Sequence, residues 1–246
     1  MTTVLKLGGS VVTVKDDPET VDQSALADAA EAVAGADDGL IVVHGGGSFG
    51  HPHAAAHGVT DTEGTRDAEG IVEIHDAMGE LNSAVVEALQ DRGVSALPVR
   101  PLSVASRDDD GTTTFPGEPI ETMLAEGFVP VAHGDVVAQA AVGATILSGD
   151  EIVTRLAREV DADRVGVCST VPGVLDSDGE VIDQITDFET VASAVGDSEA
   201  TDVTGGMAGK IRALLEIETP ASVFGPADLP AFLSGDRPGT LVHRRR

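Results

Sequence analysis

Thr3-Val4-Leu5-Lys6-Leu7-Gly8-Gly9-Ser10 opens the chain with a short apolar run that breaks at two glycines. Leu40-Ile41-Val42-Val43 repeats the pattern and breaks at His44-Gly45-Gly46-Gly47-Ser48-Phe49-Gly50-His51. A continuous apolar run of four or five residues bounded by glycine predicts a strand buried on both faces. Between the two runs, Gln23 to Val33 is alanine-rich and stops at Gly35, which predicts a helix. Further strands are expected at Val94 to Val99, Phe128 to Ala132, Ala144 to Leu147, Arg164 to Cys168 and Thr240 to Val242. Helices are expected at Ala68 to Gln90 with Gly93 as C-cap, Asp150 to Val160, Phe188 to Val195, Ala208 to Glu218 and Asp228 to Leu233. Ser177-Asp178-Gly179 reads as a hairpin turn, and Ser103 to Pro119 as a mobile flap. Strands and helices alternating at this density predict an α/β fold, a mostly parallel sheet covered by helices on both faces. In such sheets ligands bind beyond the carboxyl ends of the strands, where the glycine clusters fall.

Composition narrows the partners. The 246 residues carry 42 acidic and 15 basic side chains, a formal net charge of -27, and the acids are spread along the whole chain. That surface argues against nucleic acid or an anionic membrane as partner, since both call for a basic face. It is similar to the surfaces of proteins from high-salt cytoplasm; near 1 M salt the Debye length is about 3 Å, which screens the repulsion. One cysteine, Cys168, rules out an intrachain disulfide and fits a reducing compartment. No run approaches the roughly 18 apolar residues of a membrane span, and glycines and Lys6 interrupt any apolar N-terminal region. A cytoplasmic location is expected.

Lysine is used three times, at Lys6, Lys15 and Lys210, each near a glycine cluster, while arginine is used twelve times. An ammonium is a compact point charge suited to phosphate oxygens, and glycine lets backbone N–H groups approach the same anion. Phosphate chemistry is the first reading. Lys6 precedes Gly8-Gly9-Ser10, so this is not a Walker loop, in which the lysine follows the glycines. Thr204-Gly205-Gly206-Met207-Ala208-Gly209-Lys210 fails that pattern too, with Thr204 in place of the first glycine and Ile211 after the lysine. It reads instead as another phosphate loop entering a helix N-terminus. In the second cluster, His51 could add a charge-assisted hydrogen bond to a phosphate; alternatively His51, His53 and His57 could hold a metal. Asp150, in Ser148-Gly149-Asp150, reads either as a helix N-cap or as a carboxylate that positions the lysines or binds Mg²⁺. Asp16-Asp17 and Asp108-Asp109-Asp110 read as solvated surface.

Taken in order, KLGGS at 6–10, HGGGSFGH at 44–51, HGDVV at 133–137, SGDEIV at 148–153, TGGMAGK at 204–210 and GTLV at 239–242 resemble the amino acid kinase superfamily. The histidine closing the second motif resembles the isopentenyl phosphate kinases within it. The resemblance implies a three-layer α/β/α sandwich of one domain over 1–246. Its N-terminal lobe, about 1–143, would bind the acceptor, and its C-terminal lobe, about 144–246, ATP. It implies a cytoplasmic homodimer using ATP and Mg²⁺ to phosphorylate isopentenyl phosphate in isoprenoid biosynthesis. Lys6, Gly8, Gly9, Ser10, Gly47, Thr170, Gly206 and Lys210 would meet the nucleotide, and Gly46, His51 and Gly149 the acceptor. Lys15 would stabilise the transition state, and Asp150 would organise the lysines. No residue is assigned as a metal ligand. The chain departs from the superfamily at Ser169-Thr170-Val171-Pro172-Gly173, where members often carry a T-D-V-D-G-type stretch with two aspartates. Apolar residues of the 71–89 helix and around Phe115 are candidates for an isoprenoid pocket, with core packing the expected role of most. Another superfamily kinase, acting on an amino acid, carbamate, UMP or a phosphonate, is the alternative enzyme; with six Phe and no Trp or Tyr, base stacking has little support. A nucleotide or oxyanion sensor that does not transfer is the alternative from outside enzymology.

Overall fold

The computed structural model describes residues 1–36, 38–192 and 206–244. An eight-stranded sheet crosses the molecule. Its strands are β1 (Thr3–Leu7), β2 (Leu40–His44), β3 (Ala96–Pro98), β6 (Val129–His133), β9 (Arg164–Cys168), β10 (Gln184–Ile185), β11 (Ala221–Phe224) and β12 (Thr240–Val242). The spatial order is β10-β12-β11-β9-β1-β2-β6-β3, and every pairing is parallel except β11 with β12. A smaller sheet, ordered β5-β4-β7-β8, holds β4 (Ser106–Arg107), β5 (Thr113–Thr114), β7 (Asp135–Gln139) and β8 (Gly143–Leu147).

Side-chain alternation along the central strands builds two cores, one on each face. Val4, Ile41 and Val43 point to the face covered by α7 (Gly149–Glu159) and α8 (Gly206–Leu215). Leu5, Leu7, Leu40 and Val42 point to the face covered by α2 (Gln23–Ala34) and α4 (Ala68–Gln90). Lys6 shares its face with Val4, so the strand period itself aims it toward α7. Cys168 is fully buried in the α2/α4 core, and burial pushes its thiol up to about 12.

Most expected elements occur within a residue or two of their predicted bounds. α4 ends at Gln90 with Asp91 as its cap, not Gly93; Gly93 (φ 80°) makes the left-handed turn two residues later. The expected helix from Phe188 starts as one 3-10 turn, Phe188–Thr190, and its portion from Ser193 lies outside the described residues, as do Thr204 and Gly205. The predicted turn at 177–179 is present, with Gly179 at φ 82° and a single bridge between Leu175 and Val181.

The expected mobile flap is instead a pinned hairpin. Its Arg107 side chain is buried and donates to Thr113, the Asp61 and Ile146 carbonyls, Thr145 and, at 2.7 Å, the Glu151 carboxylate. Phe115 beside it packs in the α7/α8 core and is not among the residues lining the cavity described below. Four helices among the described residues went unforeseen: α1 (Gly9–Val12), α3 (Gly47–Ala56), α5 (Pro101–Val104) and α6 (Glu118–Ala125). A last short helix, α9 (Leu229–Leu233), precedes β12. No helix among the described residues is long and apolar enough to cross a membrane.

A glycine-walled cavity with two lysines on one carboxylate

The carboxyl ends of β1, β2, β6 and β9 lie side by side, and the segments leaving them meet around one cavity. The glycines are needed because backbones touch there. A Cβ on Gly9 would stand 2.1 Å from Gly47 N, and one on Gly45 would stand 2.7 Å from Gly9 N. Gly47 has φ 49°, a left-handed conformation natural to glycine. It begins α3, whose Ser48 amide donates to Thr13 Oγ1 at 3.1 Å and whose Phe49 and Gly50 amides donate to the Gly46 carbonyl, while Gly46 and Gly47 line the cavity at the positive end of the helix dipole.

Lys6 rises from β1 into the floor, 6% exposed, with its Nζ 2.6 Å from Asp150 Oδ2. Asp150 sits in the first turn of α7, whose N-cap is Ser148; the Ser148 hydroxyl accepts from the Glu151 amide. Asp150 is therefore not the cap. From the other side Lys210, on α8, donates to both Asp150 oxygens at 3.3 and 3.2 Å. Burial alone would raise the Asp150 pKa; the charges of Lys210 and Lys6 and their hydrogen bonds outweigh it and hold the carboxyl far below the usual range. One carboxylate thus holds two ammonium groups together, and the trio keeps a net positive charge inside an acidic protein. Gly149 is also closely approached, since a Cβ there would meet Lys6 Cε at 3.2 Å and the His44 carbonyl at 3.3 Å.

His51, on the second turn of α3, lines the same cavity, and a Cβ on Gly46 would meet its Cδ2 at 3.4 Å. Gly8, Ser10, Thr170 and Gly206 complete the polar wall. Ala54, Val59, Ile74, Met78 and Ile146 give the α3/α4 side an apolar wall. Ile74 and Met78 come from the helix whose apolar face sequence reasoning had singled out, while Leu81, Val85 and Leu89 pack in the core.

Every residue that the resemblance assigns to nucleotide, acceptor or catalysis lines this cavity except Lys15. Lys15 is exposed in a 14–20 loop closed by a bridge between Thr13 and Val21. Pro52 has no N–H to offer the Ser48 carbonyl one helical turn back, and the Glu19 amide takes that place at 3.0 Å, fastening the loop to α3. The metal reading of the three histidines fails: His53 bonds Glu19 at 2.7 Å and His57 bonds Glu73 at 2.6 Å, while His51 faces the cavity. Sequence reasoning missed Gly134 and Asp135, which line the cavity after β6. Their signal was a histidine-glycine pair closing an apolar run, the same pair that closes β2.

Residues 1–220 match the model of the amino acid kinase family. An isopentenyl phosphate kinase of Haloferax volcanii is 60% identical over 241 residues, spanning 97% of both chains. One from Methanocaldococcus jannaschii is 34% identical, over 86% of this chain and 85% of the relative. A crystal structure of an isopentenyl phosphate kinase superposes with a TM-score of 0.83 at 28% identity, covering 98% of this chain and 100% of that one.

Proposed function

The chain belongs to the amino acid kinase family, among its isopentenyl phosphate kinases, and from that premise we propose that it transfers the γ-phosphoryl group of ATP to isopentenyl phosphate, giving isopentenyl diphosphate and ADP. The observation that carries this reading is the pair of lysines on Asp150 at the meeting of four glycine segments. Donor and acceptor are both anions, so the site must first offset their repulsion. Lys6 and Lys210, with the amides around Gly8, Gly9, Ser10 and Gly47, supply positive charge for the nucleotide phosphates. Gly206 and Thr170 extend that wall. Gly46, His51 and Gly149 hold the acceptor phosphate, with the apolar wall of Ile74, Met78 and Ile146 beside it for a hydrocarbon chain.

An oxygen of the acceptor phosphate bonds to the γ-phosphorus as the bond to the bridging oxygen of ADP breaks. The acceptor is already ionised, so no residue need remove a proton, and positioning is the protein's main contribution. His51 acts as a holder of the acceptor and not as a base. Mg²⁺ supplies further charge neutralisation when it arrives with ATP. Asp150, with both oxygens committed to lysines, is unsuited to coordinate it.

On the same reading, residues about 1–143 provide the acceptor side and about 144–246 the nucleotide side, although β1, carrying Lys6, stands at the centre of the shared sheet. A cytoplasmic homodimer, adapted to high salt, is proposed on the family resemblance and on the charge of -27. The test is ADP release at molar KCl with Mg-ATP and isopentenyl phosphate, UMP, glutamate, carbamate or fosfomycin as acceptor. Selective turnover of isopentenyl phosphate is expected. Turnover of another acceptor overturns the substrate, and ATP binding without turnover of any acceptor overturns the kinase reading.

A further inference from the structure

Two histidines lie beneath the cavity and take no part in the chemistry above. His44 ends β2 and His133 ends β6; they are register partners on adjacent parallel strands, both 0% exposed, with rings stacked at 5.5 Å. Each ring turns back on the peptide that follows it. His44 Nδ1 lies 3.1 Å from the Gly45 carbonyl and His133 Nδ1 lies 2.9 Å from the Gly134 carbonyl. A carbonyl only accepts, so both rings carry their hydrogen on Nδ1. The bare Nε2 of His44 then accepts from Asn82 Nδ2 at 3.2 Å, and Asn82 also donates to the Val131 carbonyl. His133 Nε2 is buried without a partner, so Nδ1–H is the polar bond this side chain makes.

Gly45 and Gly134 are cavity-wall residues. Their amides bond the neighbouring strands, Gly45 N to Leu7 O and Gly134 N to His44 O, both at 3.0 Å. Their carbonyls carry partial negative charge in a cavity built to receive anions. Bonded to buried imidazoles, those oxygens point into the protein. Their backbones are also the ones that touch the other phosphate segments: a Cβ on Gly45 would meet Gly9 N at 2.7 Å, and one on Gly134 would meet Gly149 N at 3.3 Å.

We propose that His44 and His133 are positioning residues of this site: each uses Nδ1–H to turn a cavity-wall carbonyl away from the bound phosphates and to fix the glycine segment that meets the acceptor. The proposal deepens the kinase reading and rests on it. The two strand ends are built alike, which is why the sequence shows histidine-glycine twice, at 44–45 and 133–134.

The experiment compares His133→Leu with His133→Asn, whose amide N–H falls where Nδ1–H lies. With isopentenyl phosphate as the varied substrate, His133→Leu is expected to raise the acceptor KM about 5- to 10-fold, the value of one lost hydrogen bond, while His133→Asn stays within about 2-fold. A group that only fills the core would move the melting temperature of both variants and leave KM alone. Unchanged KM in a folded His133→Leu, or equal damage in His133→Asn, overturns the proposal. If His133→Leu does not fold, His133→Gln, whose amide reaches the Nε2 position instead, takes its place with the same expectations. No turnover by the unaltered chain would sink the kinase reading instead. The same variants are then scored by calorimetry with inorganic phosphate, and equal affinity across them overturns the positioning role.

Discussion

Lys6 Nζ lies 2.6 Å from Asp150 Oδ2, joining the central strand β1 to the first turn of α7. Lys210 holds the same carboxylate from α8, so Asp150 sets the positions of two cations at once. Without its charge the ammonium groups repel each other and part. Asp150→Asn is expected to lower kcat on the order of 10²-fold, the usual scale for losing one preorganised electrostatic contact. Steady-state kinetics at saturating ATP and acceptor measure this. A variant within 2-fold of the unaltered protein would show that the lysines are held by something else.

His51 is predicted to act on binding more than on turnover. A charge-assisted hydrogen bond is worth about 1.5–3 kcal/mol, so His51→Ala is expected to raise the acceptor KM roughly 10- to 100-fold with little change in kcat. His51→Gln keeps a donor and is expected to recover part of that binding. A large fall in kcat at unchanged KM would make His51 a participant in transfer and reject the holding role.

The buried histidines make stability depend on pH, and the sign can be worked out. Burial, with a further push from Arg100, lowers His44 from its ordinary 6.5 to about 4, against the pull of the Gly45 carbonyl. Burial and the neighbouring His44 drive His133 well below 6.5. Both therefore stay neutral in the folded protein while the unfolded chain takes up protons. Their contribution is fully present above about 6.5 and is lost as pH falls toward 4, at about 1.4 kcal/mol per pH unit for each group. His75 has the opposite sign: its bond to Asp135 raises it, so its contribution is present below 6.5 and is lost as pH rises through the raised value. Urea denaturation in molar KCl from pH 4.5 to 8 is expected to show stability falling on the acid side, with His44→Asn removing one proton's worth of that slope. An unchanged slope in His44→Asn would mean that other groups carry the acid limb.

How far the fold could be read from the chain follows from where each element lies. β1, β2 and β9 are buried on both faces, so their composition alone marks them. β7 was missed because a single residue, Gly134, separates it from β6, and His133-Gly134-Asp135 reads as a turn. α3 was missed because two glycines and Pro52 are poor helix formers; packing on α4 and the Glu19 amide at the Ser48 carbonyl override propensity. In the site, scarcity made the lysines visible, and the glycine clusters told where to look. The histidine pair stayed hidden because its meaning lies in the register between β2 and β6, which no local pattern encodes.

Lys15 is the candidate on which resemblance and position pull apart. It stands exposed in the 14–20 loop, outside the cavity that takes in Lys6 and Lys210. The loop is closed at its base by Thr13 and Val21 and fastened to α3 by the Glu19 amide and by Glu19 with His53. If an exposed lysine outside the cavity serves transfer, it does so by meeting charge that develops between donor and acceptor. Lys15→Ala is then expected to lower kcat at least about 10-fold while both KM values stay within about 2-fold, and Lys15→Arg to keep part of the rate. His53→Ala, which unfastens one side of the loop, should reproduce a smaller share of the same kcat loss. Turnover unchanged in Lys15→Ala would leave charge neutralisation to Lys6 and Lys210 and reduce Lys15 to a solvated turn residue.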